Sequence, residues 1–563
     1  MMIWKLFNNK NKKNFFLIIF FMIIGAFLDA ASVGLVFPIL NFITNIDNYN
    51  SQLLNILFSF FSLENNNEKI LFISFLFLLI FLFKAIFLTY LAWASLKFSF
   101  NFEVEICSRL FKHYIQLDLL DFRRVSSSRI IQNIIKEVNI LVFNYLIPFL
   151  RFITELIVIL ILGTLLLYLE PIIAIFVLLL CFFFIVIYYY YVGRKLVPKW
   201  GNLRLINDNE RTKKVREAFQ NFKLIKILKL SNYYQSLFDI YNSNIAKYNR
   251  YHQTTVSLPT IFLELVAVMC LVLVIFVIVL FDRDYSAIIP ITGLFAASAF
   301  RLIPAANRAL SAIQTMKFAK PSLNIVYKEF EKNSFIENKY KKSNYIEFKK
   351  ISFENVSFGY ERDNLILNNI SFEINTGDAI GIVGESGSGK STIADIIMGL
   401  IKPTKGKVKF NDNDDCNFKI GYVPQNVLLN EDTIMENIAF GKKLDEINIE
   451  KIYEVIEKSQ LHTLIKSLKN GIKTKVSDMG SNLSAGQIQR ISIARTLYFD
   501  PDIIVFDEPT SSLDSYNEQK IIDELFQIKS NKTFILISHK KDTLKNCNKI
   551  IQIKNKSAKF IDI

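Results

Sequence analysis

The sequence predicts a multi-domain membrane protein in which a six-helix α-helical transmembrane domain is followed by a soluble α/β domain. The chain has 563 residues, of which 52% are hydrophobic and only 21% are charged. Apolar runs long enough to cross a bilayer stand before Ala319, whereas from Ile346 onward the runs shorten to strand length and alternate with amphipathic patterns. We therefore predict a membrane domain over 1–318, a linker over 319–345 and an α/β domain over 346–563.

The membrane domain is predicted from six apolar runs. Each run reaches the roughly 20 residues that a helix needs to cross about 30 Å of hydrocarbon. The predicted spans are 14–43, 70–98, 139–168, 171–193, 256–281 and 287–316.

Lysine and arginine are distributed unequally between the segments that join these spans. The segment 45–67 has none, while 101–138 has six and 194–250 has thirteen. Because cytosolic loops carry the excess of positive residues, both termini are predicted to be cytosolic. The net charge of +15 is then a signal of topology, and we expect no nucleic-acid partner.

The non-cytosolic segment 52–63 (QLLNILFSFFSL) is rich in large apolar residues. It is compatible with a short helix lying on the membrane surface or with a loop packed on the first two spans. The sequence does not favour either structure.

A phosphate-binding loop is predicted directly after the apolar strand 379–383. The pattern G-x-x-x-x-G-K-[ST] places glycines where backbone N–H groups must curl around phosphates, and a helix N-terminus follows. Lys390 is expected to reach the β- and γ-phosphates, and Ser391 to bind Mg²⁺. The residues predicted to bind ATP here are Gly384, Glu385, Ser386, Gly387, Ser388, Gly389, Lys390, Ser391 and Thr392.

Two acidic residues follow the buried strand pattern 503–506. An acid at the carboxyl end of such a strand can meet the Mg²⁺ beside the phosphate loop, so Asp507 is predicted to bind the metal. The next carboxylate, Glu508, is predicted to polarise the attacking water. The other interpretation, an acid that only makes a turn, is the weaker one beside a phosphate loop.

The segment Asn482-Leu483-Ser484-Ala485-Gly486-Gln487 stands between these two motifs. It resembles the LSGGQ signature of ATP-binding cassette (ABC) domains, with Ala485 for the usual glycine. The resemblance implies that Ser484, Gly486 and Gln487 cap ATP held by the opposite subunit.

Further elements of that family occur in the same order along the chain. Tyr360 resembles the aromatic residue that stacks on adenine, and Gln425 resembles the Q-loop residue that senses Mg²⁺ and water. The segment 511–514 resembles the D-loop, and His539 resembles the switch histidine. The resemblance thus implies ATP and Mg²⁺ as ligands, a metal site of Ser391, Gln425 and Asp507, and catalysis by Glu508, His539 and Gln425.

One chain carries a single cassette and six spans, which resembles an exporter-type ABC half-transporter. A composite ATP site needs the phosphate loop of one cassette and the signature of another, so we expect a homodimer. The resemblance also implies two coupling helices, one within 116–128 and one near 231–239.

The substrate must be inferred from ionisable residues inside the predicted spans, because such residues are costly there. Lys84, Arg301 and Arg308 are the candidate substrate-binding residues. They would suit an anionic substrate, or they would pair with Asp29 and Glu264 or reach the interface. Arg151 and Glu155 are four residues apart on one helix and are expected to neutralise each other.

Three segments resemble PglK-type flippases of bacterial lipid-linked oligosaccharides, namely 222–226, 259–264 and 301–308. The resemblance implies a bacterial inner-membrane protein, in contact with membrane lipids, that moves a polyprenyl-pyrophosphate glycan to the outer leaflet. Thr260 departs from it, because those flippases have arginine at this position. The alternative is an exporter of another lipid, similar to lipid A, or of amphipathic drugs.

Overall fold

The computed structural model describes residues 2–36, 58, 65–280, 288–331, 345–361, 364–413, 418–477, 482–508, 532–538 and 544–561. The chain divides into two compact units. The first comprises Met1–Leu117 and Val125–Asn338, and the second comprises Asp118–Arg124 and Lys339–Ile563.

The described residues of the N-terminal part of the chain are almost all helical. In order the helices are α1 (Met2–Leu6), α2 (Asn9–Gly34), α3 (Asn66–Ile115), α4 (Leu119–Arg124), α5 (Ser127–Leu169), α6 (Pro171–Tyr188), α7 (Leu196–Gln220), α8 (Phe222–Ile227), α9 (Ser231–Leu280) and α10 (Ile288–Glu331). Helix α4 belongs to the second unit. Two π-helical segments, Gln132–Glu137 and Val142–Leu146, lie inside α5.

Five of the described helices are long and apolar enough to cross a membrane: α2, α3, α5, α6 and α9. The sixth predicted span, 287–316, forms most of α10, a 44-residue helix that begins at Ile288.

The helices pack around a core that the sequence supplies as large aliphatic and aromatic residues. Phe102 and Leu110 of α3 are completely buried against Leu141 and Leu146 of α5. Only 6% of the residues in the most apolar stretch of α3 are buried. Such an exposed apolar surface needs lipid or another chain to cover it.

One glycine allows two of these helices to approach closely. A Cβ atom at Gly201 of α7 would lie 2.3 Å from the backbone carbonyl oxygen of Phe318 in α10. No backbone shift of ordinary size relieves such a clash, so only glycine fits at this crossing.

The described residues of the second unit form nine strands in two sheets. They are β1 (Lys350–Phe358), β2 (Leu367–Asn375), β3 (Ala379–Gly384), β4 (Lys405–Phe410), β5 (Ile420–Val423), β6 (Ile503–Asp507), β7 (Thr533–Ile537), β8 (Lys549–Lys554) and β9 (Ser557–Ile561). A three-stranded antiparallel sheet has the order β2-β1-β4, and a six-stranded mixed sheet has the order β5-β6-β7-β3-β8-β9.

The strands β5, β6, β7, β3 and β8 are parallel to one another, so their carboxyl ends meet at one edge of the sheet. Besides α4, the α-helices described in this unit are α11 (Lys390–Ile397), α12 (Ile434–Ile438), α13 (Ile449–Lys458), α14 (His462–Ser467) and α15 (Ala485–Tyr498). Buried Ile, Val and Leu side chains from strands and helices form a core on each face of the sheet. The predicted α/β fold is therefore confirmed.

Two predicted segments, the linker and the outer segment, are described only in part. The predicted linker 319–345 begins inside α10, which continues to Glu331, and 332–344 lie outside the described residues. Of the predicted outer segment 52–63 only Phe58 is described.

The segment expected to hold the first coupling helix contains α4. The segment 231–239 instead forms the first turns of α9, and the separate short helix before it is α8.

Candidate functional site: a phosphate loop at the carboxyl edge of the sheet

The phosphate loop joins β3 to α11. The Lys390 ammonium donates hydrogen bonds to the carbonyl oxygens of Gly384 (3.0 Å) and Glu385 (2.9 Å), so its charge stands at the centre of the loop. The side-chain oxygen of Ser388 is buried without a hydrogen-bond partner in the described structure. An unsatisfied buried hydroxyl inside a ring of backbone groups fits a site that a phosphate completes.

Gly389 occupies a conformation that other residues adopt only with strain. Its φ is +104°, and a Cβ atom there would lie 2.8 Å from the Leu367 side chain and 2.9 Å from that of Ile366. The residue caps the N-terminus of α11, whose first N–H groups and positive dipole end face the loop.

The two predicted acids lie at the end of β6, where the sheet edge brings them to the phosphate loop. Glu508 has a positive φ of 47°, which is a strained backbone conformation for this residue type. Its Oε2 accepts a hydrogen bond of 2.6 Å from the Gln425 side-chain amide, which follows β5. The structure therefore brings together two of the three predicted catalytic residues.

Burial and charge alter the acid–base properties of this edge. Burial, and then the neighbouring charge of Glu508, raise the pKa of Asp507 above its usual value. Burial lowers the pKa of Lys390, against the opposing effect of Glu508 and Asp507. Burial and the charge of Asp507 raise the pKa of Tyr422 to about 12, and its hydroxyl lies 3.4 Å from Asp507 Oδ2.

Tyr360 lies beside the phosphate loop. Its hydroxyl is 3.3 Å from Thr392 Oγ1 and accepts a hydrogen bond of 3.0 Å from Arg123 of α4. Arg123 also donates to Asp395 of α11 at 2.9 Å. Helix α4 is thus held to the second unit by one arginine that reaches both the tyrosine and the helix of the phosphate loop.

These residues enclose a cavity of about 400 Å³. The volume is in the range of small-molecule and cofactor sites. The cavity lining is polar at the phosphate loop and apolar at Ile366 and Ile537. Ten of the predicted site residues line this cavity: Tyr360, Ser386, Gly387, Gly389, Lys390, Ser391, Thr392, Gln425, Asp507 and Glu508.

The residues present fit a nucleoside triphosphate with Mg²⁺. Hydroxyl, amide and carboxylate oxygens of Ser391, Gln425 and Asp507 are the hard ligands that Mg²⁺ takes together with phosphate oxygens. The described residues contain no cluster of three His, Cys, Asp or Glu residues of the kind that would hold a metal without a nucleotide.

The signature residues do not line this cavity within the described part of the chain. Ser484 caps the N-terminus of α15, where its hydroxyl accepts from the Gln487 N–H and the Gln487 side chain accepts from the Ser484 N–H. Ser484 is exposed and Gly486 half-buried, so the first turn of α15 presents N–H groups at the surface.

Two predicted elements lie outside the described residues. They are His539, two residues beyond the end of β7, and the D-loop segment 511–514. Their predicted roles remain predictions.

Comparison with known families decides the family. A model described as "ABC transporter transmembrane region" matches residues 14–298, which is half of the chain. A model described as "ABC transporter" matches residues 367–511. The chain belongs to the ABC transporter family.

Relatives of this ABC transporter match over part of their length. A "Probable ABC transporter ATP-binding/permease protein" of Haemophilus influenzae is 33% identical over 279 residues, which are 48% of this chain and 49% of that protein. The "Alpha-hemolysin translocation ATP-binding protein HlyB" of Escherichia coli O157:H7 is 41% identical over 214 residues, 36% of this chain and 30% of that one. The mitochondrial "Iron-sulfur clusters transporter ATM1" of Saccharomyces cerevisiae is 40% identical over 214 residues, with coverage of 36% and 31%. The matches thus span about half or less of these relatives.

A solved structure resembles the chain over nearly all of its length. "Structure of a bacterial Atm1-family ABC exporter with ATP bound" has a TM-score of 0.72 at 19% identity and covers 98% of this chain and 95% of that chain. The exporter fold predicted for the ABC transporter is therefore confirmed. At this identity the likeness concerns the fold alone.

The membrane domain of the transporter contains a buried cluster of charges on three helices. Asp29 of α2 is 1% exposed and forms ion pairs with Lys84 of α3, at 2.8 Å, and with Arg301 of α10. Lys84 also donates to the Ser32 hydroxyl at 2.8 Å. Two of the three candidate substrate residues therefore share one internal carboxylate.

The third candidate, Arg308, is bound by a different acid. Glu155 of α5 accepts from both Nε and Nη2 of Arg308, the second at 3.0 Å. The expected pairing of Glu155 with Arg151 is wrong, because both carboxylate oxygens are taken by α10. Glu264, the other acid named as a partner, makes no ion pair within the described residues.

Sequence reasoning missed Arg123, Asp395 and Tyr422 at the ATP site and the partner of Arg308. Tyr422 stands three residues before Gln425, on the strand that leads to it, and this position could have indicated it. No periodicity in the sequence indicates the other contacts, since they join residues more than 150 positions apart.

Proposed function

We propose that the chain is an ATP-driven exporter that flips an anionic lipid-linked substrate from the cytosolic to the outer leaflet of a bacterial inner membrane, with both termini cytosolic. ATP bound between the cassettes of two copies would draw them together, and hydrolysis would reset them. The cavity formed by Tyr360, the phosphate loop and Asp507-Glu508 supports ATP turnover.

The most specific form of the proposal is a polyprenyl-pyrophosphate-linked oligosaccharide as substrate. One observation carries it: Arg151, Arg301 and Arg308 line one cavity of the membrane domain, together with Glu155. Arginines are costly in a membrane, and a cavity with more cations than acids favours a negatively charged headgroup.

A second candidate is an exporter of another lipid or of amphipathic drugs. It is favoured by a different cavity, lined by apolar side chains of α5, α6, α9 and α10 such as Leu166, Leu178, Leu263 and Phe295. It is also favoured by the pairing of Arg301 and Arg308 with acids, because paired arginines can be structural.

A flipping assay in proteoliposomes distinguishes the two candidates. We expect ATP-dependent transfer of a polyprenyl-pyrophosphate glycan, with no transfer of a neutral glycolipid of similar size. Transfer of a lipid A-like molecule or of amphipathic dyes, but not of the pyrophosphate glycan, would contradict the specific form. Absence of any ATP-dependent transfer would contradict the exporter itself.

A further inference from the structure

The cavity of the membrane domain that holds the arginines has a volume of about 380 Å³. It lies among α2, α3, α5 and α10, and its lining includes hydroxyl groups of Ser95, Ser99 and Thr154 beside the charged residues. All of these residues belong to the first unit.

The two α10 arginines of this cavity already have internal counter-ions. Glu155 binds Arg308 through both oxygens, and Asp29 binds Arg301 through one oxygen and Lys84 through the other. An anionic ligand must compete with these carboxylates to reach either arginine. Breaking a buried ion pair costs free energy, so neither is an easily available site.

Arg151 differs from both. It stands on α5 one turn before Glu155, lines the same cavity and is exposed to it. No acid pairs with it in the described part of the chain, and its natural i,i+4 partner is occupied by Arg308.

The charged residues that line the cavity, taken together with the residues that pair with them, do not sum to zero net charge. Lys84, Arg151, Arg301 and Arg308 contribute four positive charges, and Asp29 and Glu155 contribute two negative ones. The sum is +2, and one of these surplus charges is on Arg151. A surplus of this size inside the membrane domain matches a phosphate or pyrophosphate group of about two negative charges.

We propose that Arg151 is the residue that first binds the anionic headgroup, while Asp29 and Glu155 hold Arg301 and Arg308 as a structural frame. The inference rests on the proposed function and assigns its headgroup site to α5. A guanidinium can bind a phosphate through two parallel hydrogen bonds, which lysine cannot reproduce.

The test uses the full-length protein in nanodiscs of neutral lipid and measures the ligand concentration that gives half-maximal stimulation of ATP turnover. The ligands are a polyprenyl pyrophosphate, phosphatidic acid, the uncharged polyprenol and inorganic pyrophosphate. The variants are Arg151→Gln and Arg151→Lys. Arg194→Gln is the matched control, because Arg194 is an exposed arginine on the same unit that does not line the cavity.

We expect Arg151→Gln to raise the half-stimulating concentration of the anionic lipids about tenfold or more, as the loss of a charged hydrogen bond does. Arg151→Lys should recover part of the loss, and Arg194→Gln should titrate like the parent protein. The inference is overturned if Arg151→Gln has the same half-stimulating concentration as the parent protein for every anionic lipid that stimulates ATP turnover.

The remaining outcomes separate the inference from the proposed function. If only phosphatidic acid stimulates ATP turnover, and the stimulation depends on Arg151, the headgroup site at Arg151 is supported and the polyprenyl-pyrophosphate substrate is overturned. If inorganic pyrophosphate stimulates ATP turnover as strongly as the anionic lipids do, and this also depends on Arg151, the ligand at Arg151 is a free anion and the proposed lipid headgroup is overturned. If no anionic ligand stimulates the parent protein, both proposals fail.

Discussion

At the scale of the residue, the ATP site depends on what surrounds Glu508. Glu508 follows a buried strand and has a positive φ, and its carboxylate accepts a hydrogen bond from the Gln425 side chain. A base held in this way can orient and deprotonate a water molecule. The strain at this residue is consistent with a position fixed for chemistry.

Glu508→Gln should lower the turnover number for ATP by about 10²–10⁴-fold, the usual contribution of a general base. ATP binding should persist, because the amide has the shape of the carboxylate. The control is Glu354→Gln, which removes an exposed acid of β1 that pairs with Lys409. Turnover by Glu508→Gln within a factor of two of the control would refute the role of Glu508.

The raised pKa of Asp507 predicts how binding of Mg²⁺ with ATP depends on pH. The metal needs the ionised carboxylate, so binding should weaken on acidification at a higher pH than for an ordinary aspartate, whose pKa is 3.8. Because the charge of Glu508 contributes to the shift, Glu508→Gln should move this acid limit to lower pH. The acid limit is measured by titrating Mg²⁺-dependent ATP binding from pH 7 downward in the parent protein and in Glu508→Gln. The same acid limit in both proteins would contradict the effect of the Glu508 charge on the pKa of Asp507.

The same shift has a consequence for stability without metal. The folded protein holds the Asp507 proton to a higher pH than the unfolded chain does. The contribution of this group to the free energy of unfolding therefore falls as the pH rises from the ordinary value through the raised pKa.

Gly389 tests whether the geometry of the phosphate loop matters beyond backbone strain. Gly389→Ala and Gly441→Ala both place a Cβ at positive φ, which costs about 1–2 kcal/mol of unfolding free energy. Of these two positions, only Gly389 brings the new atom against neighbouring side chains beside the phosphate loop. We expect Gly389→Ala to lower the unfolding free energy at least as much as Gly441→Ala does, and ATP binding to be lost only in Gly389→Ala; equal ATP affinities of the two variants would contradict the account.

At the scale of the element, α4 is attached to the second unit through the Arg123–Asp395 pair. Asp395 is nine-tenths buried, and burial raises its pKa against the effect of Arg123. Removing the arginine leaves a buried acid without its cation, which is more costly than removing both.

A double-mutant cycle with Arg123→Gln and Asp395→Asn should therefore give a coupling of about 0.5–3 kcal/mol in unfolding free energy. Arg124→Gln is the control, because among the described residues Arg124 makes only an exposed ion pair, with Asp121. Additive effects of the two substitutions would show that the contact does not hold α4.

The elements also show what the sequence can predict. Apolar runs and strand-length patterns predicted the helices and the α/β domain because those signals are local. The phosphate loop and Asp507-Glu508 were found for the same reason, since each motif is contiguous. The extension of α10 into the predicted linker was missed, because a polar amphipathic stretch such as 319–331 has the composition of a linker.

The ion pairs of the membrane domain could not be predicted. Arg301 and Asp29 are 272 positions apart, and Glu155 could pair within its own helix or with Arg308. Only the packing of α10 against α2 and α5 decides between these partners. The assignment of Arg151 follows from that packing.

At the scale of the whole molecule, one cassette carries a phosphate loop and a signature that do not share a cavity. The signature helix α15 is capped and presents its N-terminus at the surface, so a second copy can complete the ATP site. The large apolar surface of α3 is likewise suited to lipid or to a partner. The central claim is that two identical chains form two composite ATP sites.

Mixing two inactive variants tests this claim most directly. Lys390→Ala removes the phosphate-loop cation, and Ser484→Arg blocks the signature, so each variant alone should be inactive. A heterodimer isolated through two different affinity tags contains one site with both defects and one intact site. The account predicts that it regains ATP turnover, about half of the parent value if the sites act independently. An isolated heterodimer as inactive as either variant would contradict the account.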